Sequence, residues 1–509
     1  MSLAVVRSRA LVGMSAPPVD VEVHLGLGLP AFHIVGLPEA VVRESRERVR
    51  AALLHGGFDF PNRRLTVNLT PADLPKDSGR FDLPIALGIL AASSQLPGKA
   101  LDDIEFVGEL SLTGDIRPIR GALAMAAAVA HDGEGRSLML PAANAAEAAL
   151  VETLCALAAG RLTDLVAQLR GTAAFERIDP ARPGQGNEAT GAGHFPASEI
   201  DFAQIKGHDQ ARRALEIAAA GRHSLLMLGP PGAGKSLLAA GLPGILPPMA
   251  GDEALASAAV TSLGGRFHAR DYGQRPFRAP HHSASTIALV GGGANPRPGE
   301  ISLAHNGVLF LDELPEFPRT ALEALREPLE TGRIALSRAA RQIELPANFQ
   351  LIAAMNPCPC GYLGDDRCRC PPERVRRYQD RVSGPLLDRI DLQIQVLPVD
   401  EWTLTSPTPG EPSAAIRARV GAAHDRQLRR QQQANAALGP AAIDRHCPLD
   451  PDALALLHTA ARRLRWSSRA LHRTIRVART IADLAGRDPL TAADVGEAIG
   501  YRRSLRPEA

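Results

Sequence analysis

The feature that most restricts this chain is a run of eight residues, Gly229-Pro230-Pro231-Gly232-Ala233-Gly234-Lys235-Ser236, between a short apolar stretch at 224–228 and the helix-forming Leu237-Leu238-Ala239-Ala240. It fits G-x-x-x-x-G-K-[S/T] in the context of strand, turn and helix, and the context makes the match specific. Glycines let successive backbone N–H groups point into one concavity, and the following helix adds the positive end of its dipole, so such a turn cradles a polyphosphate. Lys235 is expected to reach the β- and γ-phosphates as a compact point charge, and Ser236 Oγ to ligate Mg²⁺. The chain has only four lysines, Lys76, Lys99, Lys206 and Lys235, against 53 arginines, so lysine at this position is not background.

A phosphate loop of this kind needs an acidic partner, and one follows at Gly307-Val308-Leu309-Phe310-Leu311-Asp312-Glu313, an apolar strand ending in two carboxylates. Asp312 is the candidate Mg²⁺ ligand and Glu313 the candidate general base for an attacking water. Alone, Asp-Glu after an apolar run reads as a helix N-cap; paired with the loop at 229–236 it reads as the second half of a nucleotide site. A third apolar run at 349–355, with helical segments between the strands, gives the alternation of a parallel sheet covered by helices. The expected fold class is therefore α/β.

A chain of 509 residues predicts two or three domains. With 45% apolar and 22% charged residues, bulk disorder is excluded. No run reaches the roughly 18 apolar residues of a membrane helix, since 83–96 is short and broken by Pro84 and Ser93. Arg7 and Arg9 leave no room for a signal-peptide core, so a soluble, cytoplasmic protein with no membrane contact is expected. Residues 1–170 read as a mixed α/β unit with strands near 19–25 and 65–69 and Ala-rich helices at 84–92 and 122–130. The breaker-rich segment 171–199 reads as a linker. Residues 200–398 form the nucleotide-binding core, and 399–509 a mainly helical C-terminal part. Residues 416–476 carry twelve arginines and four carboxylates, which suits either a solvated helical face or a surface for a polyanion.

The two nucleotide motifs resemble the Walker A and Walker B motifs of AAA+ ATPases, and further stretches sharpen the resemblance. Asn356, just after Leu351-Ile352-Ala353-Ala354-Met355, matches sensor 1, which orients the attacking water. Ser383-Gly384-Pro385-Leu386-Leu387-Asp388-Arg389 is similar to the S-x-P-L-L-D-R segment of magnesium chelatase motors and MCM helicases, whose arginine acts on a neighbouring subunit's nucleotide. Ser467-Ser468-Arg469 looks like the sensor 2 region. The resemblance thus implies catalytic arginines at Arg389 and Arg469, and, because a finger supplied in trans needs a neighbour, a homo-oligomeric ring.

FHIVGLPEAVVRESRERVRAAL, VNLTPADLPKDSGRFDLPIALGIL, FRAPHHSAST, AHNGVLFLDELPEF, NPCPCGY and RTIADLAG together resemble the magnesium-chelatase-like AAA+ family known as ComM or YifB, over essentially the whole chain. The resemblance implies a hexameric, DNA-dependent ATP-hydrolysing motor, associated in competent bacteria with branch migration. Residues 332–345 read as a β-hairpin, which in related motors faces the ring's pore. Arg338 and Arg341 at its tip are the expected DNA phosphate contacts, sequence-independent and salt-sensitive, unless the tip is charged only for solubility. Four Tyr and two Trp offer little for base stacking, so base-specific reading is not expected.

Residues 66–92 and 107–141 are similar to the proteolytic domain of Lon, an S5-like α/β fold with a Ser–Lys dyad. Here Arg80, Phe81 or Asp82 falls where the serine would be, and Ala122 or Leu123 where the lysine would be. Ser78 and Lys76 lie nearby, but on one short turn rather than two elements, so the domain reads as catalytically silent. Cys358, Cys360, Cys368 and Cys370 form C-x-C-x₇-C-x-C, enough for one structural Zn²⁺. The tight spacing leaves free thiols or a redox-labile pair as alternatives. His281, His282 and His305 read as capping, packing or loop-surface residues rather than metal ligands. Beside the DNA motor stand a metal-chelatase motor, an ATP-dependent protease, which the missing dyad disfavours, and an assembly scaffold, which Glu313 and Asn356 disfavour.

Overall fold

The computed structural model describes residues 2–502 except 38–39, 75, 77, 180–199, 294–296 and 339–340. Most of the expected linker, from 180 onward, thus lies outside the described residues. Among those residues no helix is long and apolar enough to cross a membrane.

The N-terminal part is built on one mixed sheet of eight strands. In chain order these are β1 (Ser2–Arg9), β2 (Pro18–Gly26), β3 (Ala31–Val35), β4 (Arg64–Thr70), β5 (Ile104–Phe106), β6 (Ser137–Pro141), β7 (Ala156–Ala159) and β8 (Glu176–Arg177). Their spatial order is β8-β7-β6-β5-β1-β2-β4-β3. In β2, Val19, Val21 and Val23 are buried while Pro18 and Asp20 are exposed, the period-two pattern that fixes which side faces the core. Helices α1 (Ala40–His55) and α2 (Asp82–Ala92) lie on one side; α2 is apolar all round and almost wholly buried. Helix α3 (Ala122–Asp132) covers the other side, where Met125 and Val129 pack with Leu138 and Leu140.

The positions at which a peptidase dyad would sit hold no nucleophile. Asp82 is buried, accepts from Ser45 Oγ and from Leu110 N (3.2 Å), and pairs with Arg48 Nε at 2.7 Å. Ala122 and Leu123 are buried at a junction with the next domain. There Gly121 N and Leu123 N donate to Ser262 O and Oγ (3.1 and 3.4 Å), and Ser262 Oγ donates to Glu147. Lys76 is buried and donates to Pro71 O.

The second sheet has five parallel strands: β9 (Leu225–Leu228), β10 (Phe277–Arg278), β11 (Val308–Leu311), β14 (Gln350–Met355) and β15 (Leu392–Gln395). Between β11 and β14 the chain makes a separate two-stranded hairpin, β12 (Arg333–Arg338) and β13 (Arg341–Pro346). The spatial order is β10-β11-β14-β9-β15, so the first strand in sequence lies between the last two and every connection is a crossover. Both sides are covered. Met227, Phe310, Ile352 and Ile394 point into a core shared with the C-terminal helices, while Leu226, Leu228, Leu309, Leu311 and Leu351 point into a second core. That double burial is why these strands are continuous apolar runs rather than alternating ones. This is a mixed α/β architecture consistent with an AAA+ domain of magnesium-chelatase type.

Helices α4 (Asp209–Gly221), α5 (Lys235–Gly241) and α6 (Gly251–Leu263) belong to this core, and α7 (Pro372–Gln379) follows the cysteine segment. The C-terminal part is helical as expected: α8 (Ser413–Gln431), α9 (Pro451–Arg463), α10 (Ser468–Ala485) and α11 (Ala492–Gly500). Ser467 caps α10, its side chain accepting from Ala470 N. The C-terminal helices are anchored to the sheet by Asp391, at the head of β15, which accepts from Ser224 N (3.1 Å) and pairs with Arg473 of α10 at 2.5 Å. Burial opposes the Asp391 charge, but Arg473, His223 and the Ser224 amide outweigh it and hold the carboxyl well below the usual range.

The arginine-rich stretch is in part a solvated face, with Arg429, Arg445, Arg462, Arg463 and Arg465 exposed, and in part a set of ties to other segments. Arg417 donates to Gly244 O, Arg419 pairs with Glu216 and Glu411, Arg430 with Asp483, Arg469 with Glu330 and Arg473 with Asp391. Arg417, Arg419, Arg469 and Arg473 fasten the C-terminal helices to the core, and Arg430 ties two of those helices together.

Candidate active site

The phosphate loop leaves the carboxyl end of the interior strand β9, and both flanking strands fix its backbone. Gly229 N donates to Met355 O (3.2 Å), and a Cβ on Gly229 would lie 2.1 Å from Val396 O, so only glycine passes between β14 and the exit of β15. Pairing sets the other residues at the same edge. Leu228 is opposite Met355 and Leu311 opposite Ala353, which brings Asn356 and Asp312 out of their strands beside the loop. This is the edge of an open parallel sheet at which ligands bind.

The side chains converge as expected. Lys235 is buried, and its Nζ donates to Gly229 O (2.7 Å), Pro230 O (2.8 Å) and Asn356 Oδ1 (3.1 Å). Burial lowers its pKa from the ordinary lysine value, while the charges of Asp312 and Glu313 work the other way. Ser236 Oγ donates to Asp312 Oδ2 at 2.5 Å, leaving two hard oxygen ligands side by side at the open face of the loop. That donor set fits Mg²⁺, and the cradle of loop amides with a buried ammonium beside it fits a polyphosphate. Asn356 is held from behind, its N–H donating to the hydroxyl of Tyr378 on α7.

Glu313 breaks from the strand in a left-handed conformation, φ +52°, with its N–H on Asp312 Oδ1 at 2.9 Å. A non-glycine residue there carries strain of order 1 kcal/mol, a cost found at working sites. The turn separates the two carboxylates: Asp312 faces Ser236, whereas Glu313 Oε2 lies 2.9 Å from His282 Nδ1. His282 stacks on His281 with ring centroids 4.1 Å apart, and His281 Nδ1 in turn meets Ser283 Oγ at 2.7 Å. The sequence reading missed this contact, because the two residues are far apart along the chain and only the FRAPHHS stretch beside β10 hinted at it. His305, by contrast, is a packing residue: it is buried, and its Nδ1 accepts from Asn348 N (3.1 Å). A second missed neighbour is His208, whose Nε2 lies 3.1 Å from the point where a Gly234 Cβ would stand.

Arg389 and Arg469 meet on a common carboxylate rather than on the phosphate loop. Arg389 is largely buried, donates to Pro385 O (2.7 Å) and pairs with Glu330 at 2.8 Å; the exposed Arg469 reaches the same Glu330 at 3.1 Å. The hairpin of β12 and β13 forms with Arg333 opposite Pro346 and Arg338 opposite Arg341, so the two candidate DNA-contacting arginines occupy the register pair that closes it. The tip residues 339–340 lie outside the described residues.

The four cysteines come together, as their pattern suggested. All are free thiols, and their sulfurs lie within 4.8 Å of one another. Backbone N–H groups of Tyr362 and Arg369 donate to Cys360 and pull its thiol down to about 6.

Three protein-family models match the chain: subunit ChlI of Mg-chelatase over residues 21–144, magnesium chelatase subunit ChlI over 201–404, and the C-terminal part of magnesium chelatase subunit ChlI over 410–502. The chain is 48% identical over 504 residues to the uncharacterized protein YifB of Salmonella typhimurium, covering 99% of this chain and 97% of that protein. It is 48% identical over 508 residues to the competence protein ComM of Haemophilus influenzae, covering 99% and 98%. A shorter match, 32% over 99 residues, is to the maternal DNA replication licensing factor mcm3 of Xenopus laevis, covering 19% of this chain and 11% of that one.

Proposed function

The chain belongs to the magnesium-chelatase-like ComM/YifB family of AAA+-type ATPases, and on that premise we propose that it is a ring motor that hydrolyses ATP to act on DNA. The observation that carries the reading is the convergence of Lys235, Ser236, Asp312, Glu313 and Asn356 on one sheet edge. DNA as the substrate is supported by a full-length relative named for competence and a partial match named for DNA replication licensing.

In this reading residues 229–236 bind the triphosphate, with Lys235 swinging from its loop carbonyls onto the β- and γ-phosphate oxygens. Ser236 and Asp312 hold Mg²⁺, which when bound neutralises charge on those oxygens. Glu313 takes the proton of the attacking water, and the Asn356 amide orients that water. Arg389 and Arg469 complete the site from across a subunit interface, with Glu330 their resting partner. Six subunits closing a ring give every site such a neighbour. Arg338 and Arg341 line the pore and contact phosphates without reading sequence. The domain at 1–170 is a silent Lon-like scaffold for substrate or partner, joined by 171–199 to a core at 200–398 and a lid at 399–509.

The test is the steady-state ATPase rate without DNA, with single-stranded DNA and with a branched duplex, at low and moderate salt. Stimulation by DNA that fades with salt is expected, and Lys235→Ala should bind no nucleotide. The second reading, a motor that works on a chelatase-like protein partner, is favoured by the three matching models, all of magnesium chelatase subunits. A rate indifferent to every DNA form at low salt selects that reading and rejects the first.

A further inference from the structure

Between Met355, the last residue of β14, and Pro372, the first of α7, the chain runs through turns with no helix or strand of its own. A stretch of that length inside a compact domain needs something to order it, because each fixed residue costs about 1–2 kcal/mol of backbone entropy. Its short-range bonds are few: Gly361 N to Cys358 O, Asp365 N to Tyr362 O and Cys368 N to Asp365 O, each 2.9 Å.

At its centre stand the four sulfurs. Cys358 is 3.4 Å from Cys360 and 3.9 Å from Cys368, and Cys360 is 3.7 Å from Cys368. A tetrahedron of metal–sulfur bonds about 2.3 Å long has edges of about 3.8 Å, so these three sulfurs stand at the spacing of its corners, with Cys370 within 4.8 Å of each. Two disulfides would instead draw them into pairs about 2.05 Å apart. Among the described residues no other group of three or more His, Cys, Asp or Glu side chains meets in this way.

The cluster also touches the nucleotide site. Cys358 is buried and lies two residues after Asn356. Gly361, at φ +86°, lies so close to the phosphate loop that a Cβ would be 2.4 Å from Pro231 Cδ. The preceding Pro357 carbonyl is held by Gln379 Nε2 of α7 at 3.0 Å. These two contacts tie the first part of the segment to the phosphate loop and to α7, while Cys358, Cys360, Cys368 and Cys370 span it from end to end.

We infer that Cys358, Cys360, Cys368 and Cys370 hold one structural zinc ion, and that this ion seats Gly361 against Pro231 and fixes Asn356, so that zinc occupancy sets nucleotide affinity. The second half rests on the reading of residues 229–236 as the ATP site; the first half does not. Sulfurs this close enclose a single ion and leave no room for the sulfides of an iron–sulfur cluster.

The experiment uses the full-length protein. Elemental analysis should give about one zinc per chain, released when a mercurial titrates the thiols, with Cys368→Ser losing it and Cys447→Ser, a buried thiol outside the group, keeping it. Cobalt exchanged into the site should show the visible bands of a tetrahedral tetrathiolate. Nucleotide affinity, read with a fluorescent ATP analogue, should fall about tenfold on zinc release and recover when excess dithiol strips the mercurial and zinc is returned to the same sample. The reversible arm guards against a serine variant that merely misfolds. Protein purified without metal, with four freely reactive thiols, overturns the site, as does iron in place of zinc. Zinc release that leaves affinity unchanged overturns the coupling. If zinc is present but the wild type binds no nucleotide, the ATP reading fails and takes the coupling with it, while Lys235→Ala with full zinc and no nucleotide is the expected dissociation of the two.

Discussion

Glu313 sits where two demands on one carboxylate meet. It must accept a proton from water, yet its Oε2 is engaged by His282 at 2.9 Å. The imidazole therefore competes with water for the base, and the left-handed turn at Glu313 keeps the carboxylate where that competition takes place. Glu313→Gln keeps the shape and loses the base, so nucleotide binding should persist while kcat falls by about 10²–10⁴-fold. Normal turnover in this variant would dismiss Glu313 as base. His282→Ala removes the competitor, so basal kcat should rise about two- to tenfold with nucleotide affinity unchanged. A fall in kcat would mean that His282 orients Glu313 instead. At this scale, legibility followed distance along the chain: residues 229–236 and 312–313 are contiguous, so their spacing in sequence is nearly their spacing in space. The pairs His282–Glu313 and Asn356–Tyr378 are made by strand order and helix placement, which no local pattern encodes.

Among elements, the buried strands were readable because a sheet covered on both faces leaves no polar alternation to confuse the pattern, whereas β10, two residues long, is too short for any periodicity. The net charge of 416–476 left its use open, since Glu216, Glu330, Asp391 and Asp483, which pair with part of it, come from other segments. The packing of α6 against β11 yields a pH prediction. Ser257 of α6 donates to His305 O (2.9 Å), and burial, with Arg222 adding to it and Glu253 opposing, lowers His305 to about 4. The folded state thus refuses a proton that the unfolded chain accepts near pH 6.5. The stability from neutral His305 is complete above that value and is lost as pH falls toward 4, about 3 kcal/mol over the interval. Urea unfolding at pH 7 and pH 5 should therefore show a larger loss for the wild type than for His305→Asn, whose side-chain oxygen can still accept from Asn348 N. Equal losses in the two proteins would reject His305 as the source.

At the scale of the molecule, the sequence motifs located three of the five core strands, but the order β10-β11-β14-β9-β15 follows from crossovers between them and was not legible in the sequence, while the AAA+ class was legible through family resemblance. So were the roles of Arg389 and Arg469, and here the fold adds a condition. Within one chain Arg389 is buried against Pro385 O and shares Glu330 with Arg469, so acting on a neighbour's nucleotide requires it to leave that carboxylate. Arg389→Ala should then assemble and bind nucleotide but lose turnover by about 10³-fold or more, the scale of a missing arginine finger. Lys235→Ala subunits are inactive for the opposite reason, having the arginine and lacking the nucleotide. In an equal mixture, about a quarter of the interfaces pair an intact phosphate loop with an intact Arg389 from the next subunit, so two dead proteins should recover about a quarter of wild-type turnover. Recovery requires the arginine to act across the interface. If the mixture stays dead while both proteins enter common rings by size and cross-linking, Arg389 serves its own subunit through Glu330, and Glu330→Gln should then lose turnover as Arg389→Ala does.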